Sequence, residues 1–103
     1  MGSSKRDLVA CSADVQTVAG RELNIVQRGA DPTDWKPMPG IGPGAREIRV
    51  HVQGEVRVFY VATFPEAVYV LHVFEKKTRK TSARDLALGQ QRYRLMIEER
   101  RPR

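Results

Sequence analysis

The chain has 103 residues, of which 41% are hydrophobic, and its formal net charge is +6 at neutral pH. This length supports one modest hydrophobic core, so we expect a single domain over residues 1–103, and the apolar fraction excludes a disordered chain. No apolar run approaches the ~18 residues of a membrane span, and the single cysteine, Cys11, excludes an internal disulfide and a cysteine metal cluster.

The N-terminal third is predicted to form a helical hairpin. Ser3 and Ser4 precede a short helix from Lys5 to Ser12, because serine can cap free helix amides. A second helix follows, with an apolar stripe at helical spacing that consists of Val15, Val18, Ala19, Leu23 and Val26. Gly29 ends this helix, and Gly20 inside it is interpreted as a point of close packing. The first residues contain no apolar signal region, so a cytoplasmic location is expected.

A connector rich in proline and glycine, from Ala30 to Gly44, follows the hairpin. Prolines fix φ and lower loop entropy, so we expect a shaped loop rather than a flexible linker. Trp35 is interpreted as the packing anchor of this loop, with a base-stacking platform as the alternative. The glycines of the connector precede a strand rather than a helix, so they do not form a phosphate-binding loop.

The segment from Glu47 to Lys80 is predicted to be an antiparallel meander of three strands, or slightly more. A three-residue turn at 53–55 places Arg49 opposite Phe59 and His51 opposite Arg57. In this register one face is apolar and closed by the helical hairpin, while the other face offers its cations to a polyanion. The third strand, Val68 to Phe74, is apolar on both faces and is expected to be the most buried.

The last predicted element is a helix from Ala83 to Glu99, capped by Thr81 and Ser82. Its apolar positions are sparse and its end is rich in arginine, so we expect light packing or a partner. The predicted fold class is therefore α+β: an N-terminal helical hairpin on an antiparallel sheet, plus a C-terminal helix.

The candidate chemistry is basic and phenolic. His51 and His72 lie twenty-one residues apart with no cysteine or carboxylate cluster, so neither a metal site nor another cofactor is expected. The remaining constellation comprises Arg49, Arg57, Tyr60, Lys76, Lys77 and Lys80. The run FEKKTRK concentrates four cations in five residues, which favours a site for nucleic acid at the strand end; a solvated strand end is the alternative.

Several segments make the chain resemble the phage-derived, HigB-like branch of the RelE/ParE toxin superfamily, over roughly Ser3 to Met96. They are DWKPMPGIG, EIRV, VRVFYVA and VYVLHVFEKKTRKT. The resemblance implies two helices on an antiparallel sheet. The family fold has an N-terminal strand before the helices, which this chain is expected to lack or to have in very short form. Its absence would leave a sheet edge open for a partner or shorten the sheet.

The same resemblance implies a toxin of a type II toxin–antitoxin system. RelE and HigB relatives cleave mRNA in the ribosomal A site without a metal, so the implied partners are the ribosome, mRNA and a helix-turn-helix antitoxin, with no membrane and no small-molecule substrate. The implied catalytic residues are Arg49, Arg57, Lys77, Tyr60 and His72, with Tyr93 as a further proton-transfer candidate. The candidate RNA- and phosphate-binding residues are Lys76, Lys80, Arg79 and Arg92, together with His51, which is outside the family pattern but lies on the basic face and has a side chain of the type that titrates near neutrality. Two residues have structural alternatives: His72 as a hydrogen-bonded core histidine and His51 as a solvated one. The alternative functions are a non-enzymatic ParE-like toxin that binds gyrase or another protein, and an inactive relative that binds an antitoxin.

Overall fold

The computed structural model describes residues 13–52, 54–77 and 79–100. The elements are helix α1 (Ala13–Gln27), strands β1 (Trp35–Pro37), β2 (Ala45–Val50), β3 (Val56–Val61) and β4 (Tyr69–Glu75), and helix α2 (Ala83–Arg100). The strands form one antiparallel sheet in the order β1-β2-β3-β4. The predicted α+β class is confirmed, and the predicted helix from Lys5 to Ser12 lies outside the described residues.

Helix α1 covers one face of the sheet with the predicted apolar stripe. Val15, Ala19 and Val26 are buried against Ile48 and the valines of β2, β3 and β4. The chain leaves the helix through Gly29, whose φ of 86° is the left-handed conformation typical of a residue just after a helix end. The prediction for Gly20 is wrong: it is exposed, and a Cβ added there would meet nothing within 4 Å.

The β2–β3 hairpin differs from the predicted register by two residues. Ile48 pairs with Val58 and Arg49 pairs with Arg57, so the loop spans 51–55 and is wider than the predicted three-residue turn. A shift by an even number of residues leaves every side chain on its predicted face. The wider loop places the His51 side chain between two carboxylates, those of Glu55 and of Asp34 in the preceding connector.

The positions of the strands within the sheet differ from the prediction in two respects. The connector contributes a short strand, β1, which pairs with β2 and makes the sheet four-stranded. Strand β3, with all six residues buried, is the most buried strand, whereas β4 lies at an edge. Although β4 is an edge strand, both of its faces are apolar because helix α2 packs on it. Trp35 of β1 packs against Arg46, whose Cζ lies 4.1 Å from the centre of the indole ring.

Helix α2 covers the face of the sheet that was predicted to be open to RNA, and that expectation is wrong. A second core cluster forms there from Ile41, Ala45, Phe59, Val61, Leu71, Phe74 and Met96. Polar contacts supplement the sparse apolar stripe of the helix: Gln90 Nε2 donates to the Gly40 carbonyl at 2.9 Å, and the Tyr93 hydroxyl donates to the Pro43 carbonyl at 2.7 Å. A helix therefore packs on part of each face of the sheet.

The two helical glycines are expected to respond in opposite ways to alanine. At Gly89 an added Cβ would lie 2.9 Å from Cδ2 of the buried Phe59 ring and 3.2 Å from Cδ1 of Ile41. Overpacking of this kind costs about 1–3 kcal/mol, against about 1 kcal/mol of helix propensity that alanine returns. We predict that Gly89→Ala lowers the free energy of unfolding in a urea titration. Gly20→Ala, the matched control, raises it by up to about 1 kcal/mol. An equal gain from both variants would contradict the packing of α2.

Candidate functional site

The cations of the predicted basic sheet face are paired with carboxylates in one ion cluster. We call it the hairpin cluster; its members are Asp34, Glu47, Arg49, His51, Glu55 and Arg57. Glu47 is fully buried, and its Oε1 lies 3.4 Å from Nε of Arg49 and 3.5 Å from Nε of Arg57. Arg57 also donates from Nη1 to Glu55 Oε2 at 2.8 Å. The two guanidinium charges are therefore neutralised within the protein.

The exposure of the two arginines also differs from the prediction. Only 8% of the Arg57 side chain is exposed, against 33% for Arg49. Three carboxylates surround the two guanidinium groups, so the hairpin cluster carries no net positive charge even when His51 is protonated. Glu47 Oε2 and Arg57 Nε are buried without a hydrogen-bond partner, which makes this cluster costly to maintain. The predicted role of Arg57 as an open phosphate contact is not supported by this geometry.

His51 connects the hairpin loop to the preceding connector. Its Nε2 lies 2.6 Å from Asp34 Oδ2, and its Nδ1 lies 2.9 Å from Glu55 Oε1. A carboxylate only accepts, so both ring nitrogens must donate, and the imidazole that satisfies both contacts is the protonated one. The hydrogen bonds to Asp34 and Glu55 accordingly raise the pKa of His51 above its ordinary value of 6.5.

This arrangement predicts a pH dependence. Because the folded-state pKa of His51 is raised, its stabilisation is present below the unfolded value near 6.5 and is lost as pH rises through the folded value. The side chain is 51% exposed, so the loss is expected to stay below about 1 kcal/mol. NMR titration of the ring should give a pKa above 6.5 that falls in Asp34→Asn. An unchanged pKa in that variant would contradict the contact with Asp34.

The two glutamates of the hairpin cluster should differ in their contribution to stability. Glu47→Gln removes the buried charge that faces Arg49 and Arg57, and breaking a buried pair in this way costs about 3 kcal/mol or more. Glu55→Gln removes a solvent-exposed charge and should cost much less. Chemical denaturation of both variants measures the difference. Equal losses would show that the buried carboxylate does not neutralise the arginines.

A second group of polar residues joins helix α2 to β4. His72 is buried and stacks on Phe74, with ring centres 4.9 Å apart and an interplanar angle of 17°. Arg92 Nη1 lies 3.0 Å from His72 Nδ1 and 3.0 Å from the Leu71 carbonyl oxygen. A guanidinium only donates, so Nδ1 accepts, and the neutral ring donates from Nε2 to Asp85 Oδ1 at 2.8 Å. His72 therefore has the geometry of a hydrogen-bonded core histidine.

The predicted cations at the end of β4 form a pocket with the start of α2. We call it the lysine pocket; it has a volume of about 200 Å³ and is lined by Glu75, Lys76, Lys77, Lys80, Ser82 and Asp85. Lys77 and Lys80 are exposed residues, as is Arg79 beside them. Lysine supplies a mobile point charge suited to a phosphate. The lysine pocket is therefore a concave surface that carries exposed cations.

The sequence interpretation did not include Ser82 and Asp85 among the site residues. The pattern Ser82-x-x-Asp85 was readable as a capping box, and the Asp85 backbone N–H does donate to Ser82 Oγ at 3.1 Å. The Ser82 hydroxyl donates in turn to Asp85 Oδ2 at 2.6 Å. Their position beside the lysines depends on how α2 lies on the sheet, which local sequence does not encode.

The predicted phenolic and arginine candidates lie away from the lysine pocket or serve the fold. Tyr60 is fully buried on the α1 face, its hydroxyl has no hydrogen-bond partner, and burial raises its pKa above 10.0, partly opposed by the nearby charge of Arg46. Tyr93 is bonded to the connector. Arg92 contacts β4 rather than presenting an open phosphate site. The structure does not bring these residues together with the lysines as one site.

The comparison with protein families identifies the class of protein. Residues 6–94 match the family described as phage derived protein Gp49-like (DUF891), and the chain belongs to this family. Comparisons with curated proteins and with solved structures find no match. Among the described residues, no helix is long and apolar enough to cross a membrane, and no three histidine, cysteine or acidic side chains are grouped so as to hold a metal ion.

Proposed function

We propose that this protein is the toxin of a type II toxin–antitoxin pair and acts as a ribosome-dependent mRNA endonuclease of the HigB-like branch of the RelE/ParE superfamily. The observation that carries the proposal is the lysine pocket, in which three lysines line a concave surface at the edge of the sheet together with two carboxylates, those of Glu75 and Asp85. Membership in a phage-derived family and the resemblance of the segment LHVFEKKTRKT to the toxin branch support it.

The lysine pocket, rather than the arginine pair, is proposed to hold the RNA phosphate. Arg57 is buried and bound to Glu55, so it would have to leave an internal partner to reach a phosphate. Lys77 is exposed and lines a concave surface. Cations that release counterions on binding supply most of the affinity for a phosphate backbone, and only exposed cations do so without breaking the fold.

The proposed reaction uses the message's own 2′-hydroxyl as nucleophile. The hydroxyl must lose a proton, negative charge grows on the phosphate oxygens, and the leaving oxygen must gain a proton. Lys76 and Lys77 are proposed to stabilise that charge, with Arg79 and Lys80 binding the flanking backbone. Ammonium groups can supply both the charge stabilisation and the departing proton, so the proposed mechanism is independent of a metal.

The proposed partners follow from this activity. A ribosomal target implies a cytoplasmic protein, and a net charge of +6 favours association with ribosomal RNA at low salt. A cognate antitoxin with a helix-turn-helix domain is proposed to neutralise the toxin. A small gene of that kind directly beside this one would support the toxin–antitoxin setting.

The proposal predicts that removing three positive charges lowers mRNA cleavage when the charges line the lysine pocket, and not when the same number is removed elsewhere. In a triple variant, Lys76, Lys77 and Lys80 are each replaced by glutamine, and cleavage of mRNA on programmed ribosomes should fall at least about 100-fold, since each step of charge stabilisation is lost. The slope of log affinity against log salt for single-stranded RNA should fall by about 2, near 0.7 for each phosphate contact removed. The matched control replaces three cations elsewhere by glutamine and should retain cleavage. They are Arg21 on α1, Arg28 just after α1 and Lys36 on β1.

Two outcomes would contradict the proposal. Induction in cells followed by mapping of message ends should show cuts in translated mRNAs. Growth arrest with intact messages and DNA-damage signalling would instead favour a non-enzymatic ParE-like toxin. Binding of the antitoxin without any growth defect would favour an inactive relative.

A further inference from the structure

One carboxylate belongs both to the core contacts of α2 and to the lysine pocket. Asp85 Oδ1 accepts from the buried His72, and Oδ2 accepts from the Ser82 hydroxyl. The same side chain is 22% exposed and lines the pocket beside Lys76 and Lys77. A carboxylate held on one side by the core and open on the other to a cationic pocket is placed to receive a proton from a bound molecule.

His72 itself is not free to receive that proton. Its Nδ1 lone pair accepts from Arg92, and its Nε2–H is donated to Asp85, so both ring nitrogens are engaged. Only 7% of its side chain is exposed, and stacking on Phe74 fixes the ring plane. The ring is thus a neutral donor that orients the carboxylate, in the manner of a residue that positions a catalytic group.

The helix cap alone does not explain these contacts. A capping box needs the Asp85 backbone N–H bonded to Ser82 Oγ, which is present at 3.1 Å. It does not need a buried histidine from another strand on the carboxylate. The contact between His72 and Asp85 is an additional one, and it fixes the rotamer of a side chain that faces the lysines.

We infer that Asp85 is the general base of the proposed RNA cleavage and that His72 is its positioning residue; this inference rests on the proposed function. The 2′-hydroxyl gives its proton to an Asp85 oxygen, and the 2′ oxygen forms a bond to the adjacent phosphorus. The bond from phosphorus to the 5′ oxygen breaks, and that oxygen takes a proton from a lysine ammonium. The products are a 2′,3′-cyclic phosphate and a 5′-hydroxyl.

The test compares conservative variants in single-turnover cleavage on programmed ribosomes. Asp85→Asn keeps the shape of the side chain but removes the base, so the rate at saturation should fall about 10²- to 10⁴-fold with binding unchanged or tighter. The matched control is Asp14→Asn, which removes a first-turn carboxylate from α1 and should leave the rate unchanged. Thermal unfolding of each variant shows that it is folded.

Substitutions of His72 separate positioning from base catalysis. Glutamine retains an N–H donor at the place of Nε2, so the cleavage rate of His72→Gln should stay within about tenfold of the wild-type rate. His72→Leu has no such donor, and its rate should fall by about the same factor as that of Asp85→Asn. The double variant with Asp85→Asn and His72→Leu should lose little more than either alone, since both changes remove one function. This comparison remains informative if Asp85→Asn does not fold.

Each failure has its own signature. A wild-type protein that cleaves no message overturns the proposed function and this inference together. Cleavage by wild type that persists in folded Asp85→Asn overturns the inference alone. Loss of all cleavage in a folded His72→Gln, with cleavage retained in a folded Asp85→Asn, assigns the base to His72 and likewise overturns the inference.

Discussion

The contact between helix α2 and the outer part of the sheet is the constraint on which the rest of the structure depends. The helix has few apolar positions, yet Met96 is fully buried and Gly89 allows its backbone to approach Phe59. Hydrogen bonds from Arg92 to the Leu71 carbonyl and from His72 to Asp85 supplement this packing. Because α2 lies there, part of the second face of the sheet becomes a hydrophobic core, and the cations just beyond the end of β4 stay exposed.

That constraint divides the basic residues into two kinds. Arg57 is buried and forms ion pairs with the carboxylates of Glu47 and Glu55, because a buried charge requires a compensating charge. Lys77 lies just beyond the last strand, where a hydrated ammonium costs no desolvation. Arg57 therefore belongs to an internal ion network, whereas Lys77, like the neighbouring Arg79, is exposed. An anionic partner is most easily accommodated where charge is not already neutralised.

The start of α2 combines a structural and a chemical requirement. Ser82 and Asp85 cap the helix, and the same carboxylate holds the neutral ring of His72. A site built on a helix end and an adjoining strand is rigid, which favours accurate placement of a reacting group. The hairpin cluster is different in kind, because His51 is exposed and its contacts depend on pH. Its connection to Asp34 makes the loop end of the β2–β3 hairpin, which adjoins Lys76, responsive to pH.

The sequence by itself determined the α+β class, the apolar stripe of α1, which residues of β2 and β3 share a sheet face, and the dense cations from Lys76 to Lys80. These depend on local periodicity and on residues adjacent in the chain. Only the tertiary structure decided the hairpin register, the edge position of β4, the burial of Arg57 and the meeting of Asp85 with His72 and Lys77. Register depends on which loop contacts form, and burial depends on which face a weakly amphipathic helix covers. Both are set by packing between distant segments, and a pattern within one strand is the same whether α2 lies over it or not.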